Sequence, residues 1–165
     1  MKFYIKPKHF AHKRSFMIKD EGQNNLFRIK GKFFFGLRTL TIQDMNSQKL
    51  YEAQKRFAFN KYKLYDITNE KGESMALIKR TRGLFKPKFI IEINDESLKI
   101  KGSLYQHSFS INDEENTLAS MGKQVFSFGD AYEIEVLAEK NPLLHLFIMV
   151  TIDQFLHERK KSFTE

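Results

Sequence analysis

The segment from Leu143 to Leu156 is apolar on nearly every side of a helix, broken only by His145, Thr151, Asp153 and Gln154. Asn141 suits an N-cap and Pro142 a first turn, so the sequence predicts a helix over about 142–157. Such a helix has no wet face and must be enclosed. At ~1.5 Å per residue the apolar stretch from Leu143 to Leu156 spans about 21 Å, short of the ~30 Å hydrocarbon core of a bilayer. The enclosing wall is therefore expected to be protein, and the chain is not expected to be an integral membrane protein. A curled sheet is a wall that surrounds a helix on all sides.

The rest of the chain supplies strands for that wall. Five times a β-branched or aromatic run ends in Asp, Asn, Gly or Glu and an apolar run resumes. The turns fall at Asp20-Glu21-Gly22, Asp44-Met45-Asn46, Asn69-Glu70-Lys71-Gly72, Asn94-Asp95-Glu96 and Asn112-Asp113-Glu114-Glu115-Asn116. Asp and Asn bond their own backbone two residues on, so these read as five hairpins of an antiparallel meander. Between them lie Phe-rich stretches around Phe33, Phe57, Phe85 and Phe126, expected as connections at the opposite end. Alternation is strict in Tyr132 to Val136 and is read in Tyr62 to Ile67 as placing the apolar residues mostly on one face. The expectation is a mostly β fold: a single domain over 1–165, strands over about 1–140 and a buried C-terminal helix.

Charge bounds the partners. Residues 1–88 carry 21 Lys/Arg against 7 Asp/Glu, a net +14; residues 89–165 carry 7 against 13, a net −6. This asymmetry favours phosphate-bearing partners on one side, although a Lys-rich surface also simply solubilises. There is no Cys, which suits a reducing cytoplasm, and the N-terminus lacks an apolar signal-type run.

Lys79, Arg80, Arg82, Lys86 and Lys88 form the densest basic segment. Arg offers a planar fork to phosphate and Lys a point charge, so these five are the candidate anionic-ligand site. The same stretch also fits a solvated hairpin end. A second cluster, Lys6 to Arg14, contains His9 and His12, but i and i+3 point to opposite faces of a strand, and no further ligands accompany them. It reads as a basic arm, with no metal. Asp153 and His157 stand at i, i+4 and read as a polar tether, and His145 as a hydrogen-bonded core residue. The acidic turns lack calcium-loop spacing. No cofactor motif and no acid, base and nucleophile group can be assembled, so no enzyme and no cofactor are expected.

The Asp-turn hairpins, Phe85-Lys86-Pro87-Lys88-Phe89, Phe126-Ser127-Phe128-Gly129-Asp130-Ala131-Tyr132-Glu133-Ile134 and the closing apolar helix resemble the LURP-one-related (LOR) family, with its bacterial YxjI-type members. The resemblance implies a Tubby-like barrel of about twelve strands around a central hydrophobic helix. Tubby domains bind phosphoinositides through clustered Lys and Arg, and the phospholipid scramblases are distant relatives. No lipid- or calcium-binding residue carries over position by position. Residues and resemblance together lead to two functional expectations. The first is a non-catalytic cytoplasmic domain binding anionic phospholipid head groups or other phosphate-bearing ligands, peripheral at a membrane. The alternative is a protein-interaction scaffold. Nucleic acid is the weaker partner, because aromatics interleaved with cations also occur in a barrel core.

Overall fold

A computed structural model of the chain describes residues 1–6, 15–34, 37–56, 62–81, 88–127 and 129–157. Twelve strands, β1 (Lys2–Ile5), β2 (Ser15–Lys19), β3 (Asn25–Phe34), β4 (Leu37–Gln43), β5 (Lys49–Arg56), β6 (Tyr62–Asn69), β7 (Ser74–Thr81), β8 (Phe89–Ile93), β9 (Glu96–Ser103), β10 (Ser108–Asn112), β11 (Thr117–Phe126) and β12 (Gly129–Val136), precede one helix, α1 (Pro142–His157). Every strand pairs antiparallel with its sequence neighbours, and β1 pairs with β12, so the sheet closes into a barrel. The ends are tied as well: the Met1 amino group donates to the Val136 carbonyl at 2.9 Å. Among the described residues the β1–β2 seam is the thinnest, with a single registered pair, Tyr4 opposite Lys19.

All five expected hairpins are present, as β2–β3, β4–β5, β6–β7, β8–β9 and β10–β11, and they share one end of the barrel, here termed the turn end. Three are built alike. The amides of Asp20, Asp44 and Asn69 each donate to the carbonyl four residues on, at 3.0 Å. Each side-chain Oδ1 accepts the amide four residues on, at 2.9, 2.9 and 3.0 Å. The fourth residue of each turn lies in the left-handed region: Gln23 (φ 66°), Ser47 (φ 66°) and Gly72 (φ 81°). This explains the repeat in the sequence: a short Asx side chain is needed at the first position of each turn. The Asn24 side chain and amide also hold the Asp20 carboxyl below its usual range, as the Asn116 and Glu115 amides do for Asp113. Only Gly72 of the three left-handed positions avoids the Cβ clash. Gln23→Gly and Ser47→Gly are therefore each expected to raise the unfolding free energy by about 1 kcal/mol. Urea denaturation measures this, and a destabilised variant would contradict it.

The interior is an isoleucine wall. Ile5, Ile18, Ile29, Ile42, Ile67, Ile78, Ile91, Ile111 and Ile134 are buried, one from each of nine strands. β-branched side chains fit a pleated wall and keep few rotamers. Inside it lies α1, buried from Leu144 to Phe155, which satisfies the demand of a helix apolar on all sides. Twelve strands make a barrel wide enough for a helix, where eight would be filled by side chains alone. The helix lies closest to β11, β12 and β5, two of which carry small inward residues, Ala119 and Ala53. Phe147 stacks on Tyr51 at 6.3 Å, and Phe155 on Tyr65 at 4.3 Å.

The helix starts at the turn end, where the Asn141 carbonyl accepts the Leu144 and His145 amides. His145 is the expected core histidine. Its Nδ1 lies 3.0 Å from the same carbonyl, which can only accept, so Nδ1 carries the proton. No helix among the described residues is long and apolar enough to cross a membrane.

Two sequence expectations change. In β6 the alternation turns Lys63 inward with Tyr65 and Ile67, while Asp66 faces out yet is buried beneath Arg56 and the Ser74 hydroxyl, 2.5 Å away. Of the Phe-rich stretches, Phe33, Phe89 and Phe126 belong to strands instead of connections. Phe57 and Phe85 lie outside the described residues, as do His9 and His12.

Candidate functional site

The far end of the barrel, opposite the turn end, receives the C-terminal half of α1 and the ends of the strands that carry most of the basic residues. β7 finishes there with Lys79-Arg80-Thr81, and its alternation sorts the candidate residues. Lys79 points outward, with Nζ 2.6 Å from Glu92 Oε1 on β8. Lys88 is exposed, and its backbone is clamped to Thr81: the Thr81 amide donates to the Lys88 carbonyl at 2.9 Å, and the Lys88 amide to Thr81 Oγ1 at 3.0 Å. Arg82 and Lys86 lie outside the described residues.

Arg80 departs from the solvated hairpin end that the segment also fits. It follows Ala76 and Ile78 on the inner face and is 3% exposed. Its guanidinium lies 5.5 Å from the centroid of Phe89, its partner across the β7–β8 register. The reason is the period of two: a residue two along from a buried Ile must also point in.

Arg80 has company from three other strands. Lys63 is its direct partner across β6–β7. On β5, Lys55 is two along from inward Ala53 and pairs with Tyr65. On β4, Arg38 is two along from inward Leu40; its Nη2 donates to Gln154 Oε1 on α1 at 3.4 Å, and its guanidinium lies 5.9 Å from the Phe155 ring. Four consecutive strands thus turn one cation each onto a single stretch of inner wall. The described inward positions of these strands include no carboxylate; Glu52, Asp66 and their neighbours face out. The signal was present in the sequence as a cation two positions beyond an inward apolar residue near a strand end. Seeing it required the register.

The wall beyond β8 is different. His107 sits in the β9–β10 connection with φ 52°, its amide bonded to the Leu104 carbonyl at 3.3 Å. Gly102 opens that connection with φ 103°, where a Cβ would meet the Ser108 carbonyl at 2.5 Å, so only glycine fits. His107 Nδ1 lies 2.6 Å from Asp153 Oδ1, and its ring packs on Tyr132 at 4.5 Å. Asp153, fully buried, is therefore joined to a residue 46 positions away; the His157 side chain, its expected tether, lies outside what the structure describes. Burial first, then the Asp153 and Asp130 carboxylates, hold the Tyr132 phenol above its usual range, with Lys123 opposing. Lys123 is bonded to Asp130 at 2.7 Å.

The family model described as LURP-one-related matches residues 1–153. The chain belongs to the LURP-one-related family. This LURP-one-related chain is 26% identical over 157 residues to the Bacillus subtilis (strain 168) protein YxjI, described as uncharacterized, with 95% of this chain and 94% of the other covered. It also superposes on the X-ray structure of an Arabidopsis thaliana protein with a TM-score of 0.58 at 14% identity, covering 95% of this chain and 90% of that one. At that identity the likeness establishes the LURP-one-related barrel as a shared fold.

Proposed function

We propose that this chain is a non-catalytic binding domain for phosphate-bearing ligands, anionic phospholipid head groups foremost, acting in the cytoplasm at the periphery of a membrane. The observation that carries the reading is the row Arg38, Lys55, Lys63 and Arg80 on one inner wall at the far end of the barrel. Like charges gathered on a low-dielectric wall repel one another, and a bound anion relieves that cost. Lys88 stands exposed at the same end and adds attraction at longer range, as do the basic residues of the first half of the chain. Arg82 and Lys86 complete the candidate segment. Each exposed cation near an anionic surface contributes about 1 kcal/mol, screened within a Debye length.

The expected result is co-sedimentation with phosphatidylcholine vesicles containing anionic lipid at low ionic strength, weakening about tenfold or more at several hundred millimolar salt. Failure to bind such vesicles at low salt would end this reading. A second reading, a protein-interaction domain, has one observation in its favour: Val125, in the β11–β12 hairpin at the same end, is 80% exposed. The closed barrel offers that partner a face and not a strand edge.

A further inference from the structure

The geometry points to a terminal phosphomonoester, and not the phosphodiester of an ordinary phospholipid, as the group taken by the Arg38, Lys55, Lys63 and Arg80 wall; this rests on the anion-binding reading above. The deciding residue is Arg80. It is 3% exposed, and among the described residues no hydrogen bond or ion pair reaches its guanidinium; the Phe89 ring faces it instead. A buried charge without a counter-charge is costly, and removing that cost is worth more to a ligand than any contact with an exposed lysine. Lys63 stands beside Arg80 in the adjacent strand, so the position favours a doubly charged group over a singly charged one.

Access sharpens the choice. Arg38, Lys55 and Lys63 are half-buried, so solvent reaches this wall, while Arg80 is its most sheltered member. A diester carries a substituent on both sides and shares one negative charge between two free oxygens. To meet Arg80 it would have to bring both substituents inside the barrel. A monoester has one substituent, three free oxygens and, with a second pKa of about 6, nearly two charges at pH 8. Three oxygens match the planar fork of an arginine and the point charge of a lysine together.

The test compares vesicles of phosphatidylcholine carrying phosphatidic acid with vesicles carrying phosphatidylglycerol, matched in total charge, at pH 8. The wild-type chain is expected to prefer the monoester vesicles by about tenfold or more, the worth of one charge-assisted contact. Arg80→Gln and Lys63→Gln are expected to abolish the preference while leaving salt-sensitive binding to both vesicle types. Lys63 is half-buried, so its variant carries the test if Arg80→Gln melts abnormally. Glycerol 1-phosphate separates the sources: competition shows that the head group suffices, and a persisting preference without competition shows that the membrane must present it. Equal binding to both vesicle types by the wild-type chain, or a preference untouched in a folded Lys63→Gln and Arg80→Gln, overturns the proposal and leaves the broader reading standing. Failure to bind either vesicle type at low salt overturns both.

Discussion

Replacing Phe147 by alanine will lower the unfolding free energy by about 3–5 kcal/mol. Phe147 is fully buried at the middle of α1 and stacked on Tyr51 of β5. Its ring occupies the gap between a helix and a sheet that cannot collapse inward, because the barrel is closed and its strands are paired on both sides. Where the surroundings cannot relax, the cavity term is added in full to the lost transfer energy. Urea unfolding followed by circular dichroism measures the change. A loss below about 1 kcal/mol would mean that the wall does close over the void, and that the helix is less central to stability than its burial implies.

Replacing His107 by alanine will cost about 3 kcal/mol, and the loss will be strongly coupled to Asp153. Asp153 lies on the buried helix with no exposed surface, and its Oδ1 is 2.6 Å from His107 Nδ1. Removing one member of a buried polar pair costs more than removing both, since the survivor keeps its desolvation penalty. His107→Ala with Asp153→Asn should therefore be more stable than the sum of the single losses predicts, by at least about 1 kcal/mol in a double-mutant cycle. Additive losses would show that the contact is geometric and carries no energy.

The fold was legible in the sequence because its signals are local. The Asx turns announce themselves by residue type, and a helix with no polar face implies its enclosure whatever the order of the strands. The family resemblance agreed with both. Contacts between distant residues were hidden. Nothing near Asp153 in the sequence names His107 as a partner. The basic segment 79–88 drew attention by density, but density does not say which face a strand turns inward. The charged neighbours of Arg80 suggest a solvated hairpin end; its direction is set by Ile78 and Ala76, two and four residues earlier. Arg38, Lys55 and Lys63 come from three other strands and converge only through the ladder.

The first strand of this barrel finds most of its described pairing only once the last one exists, because β1 lies along β12 and, among the described residues, shares one registered pair with β2. During synthesis the opening residues must wait while more than a hundred others emerge, and the helix that fills the middle is made later still. Nucleation cannot be confined to the N-terminal segment, and a sheet that closes before its filling is delivered would enclose the wrong contents. Such long-range pairing is paid for in loop-closure entropy before it is rewarded, which makes this a slow-folding architecture whose half-made forms expose a curved apolar surface.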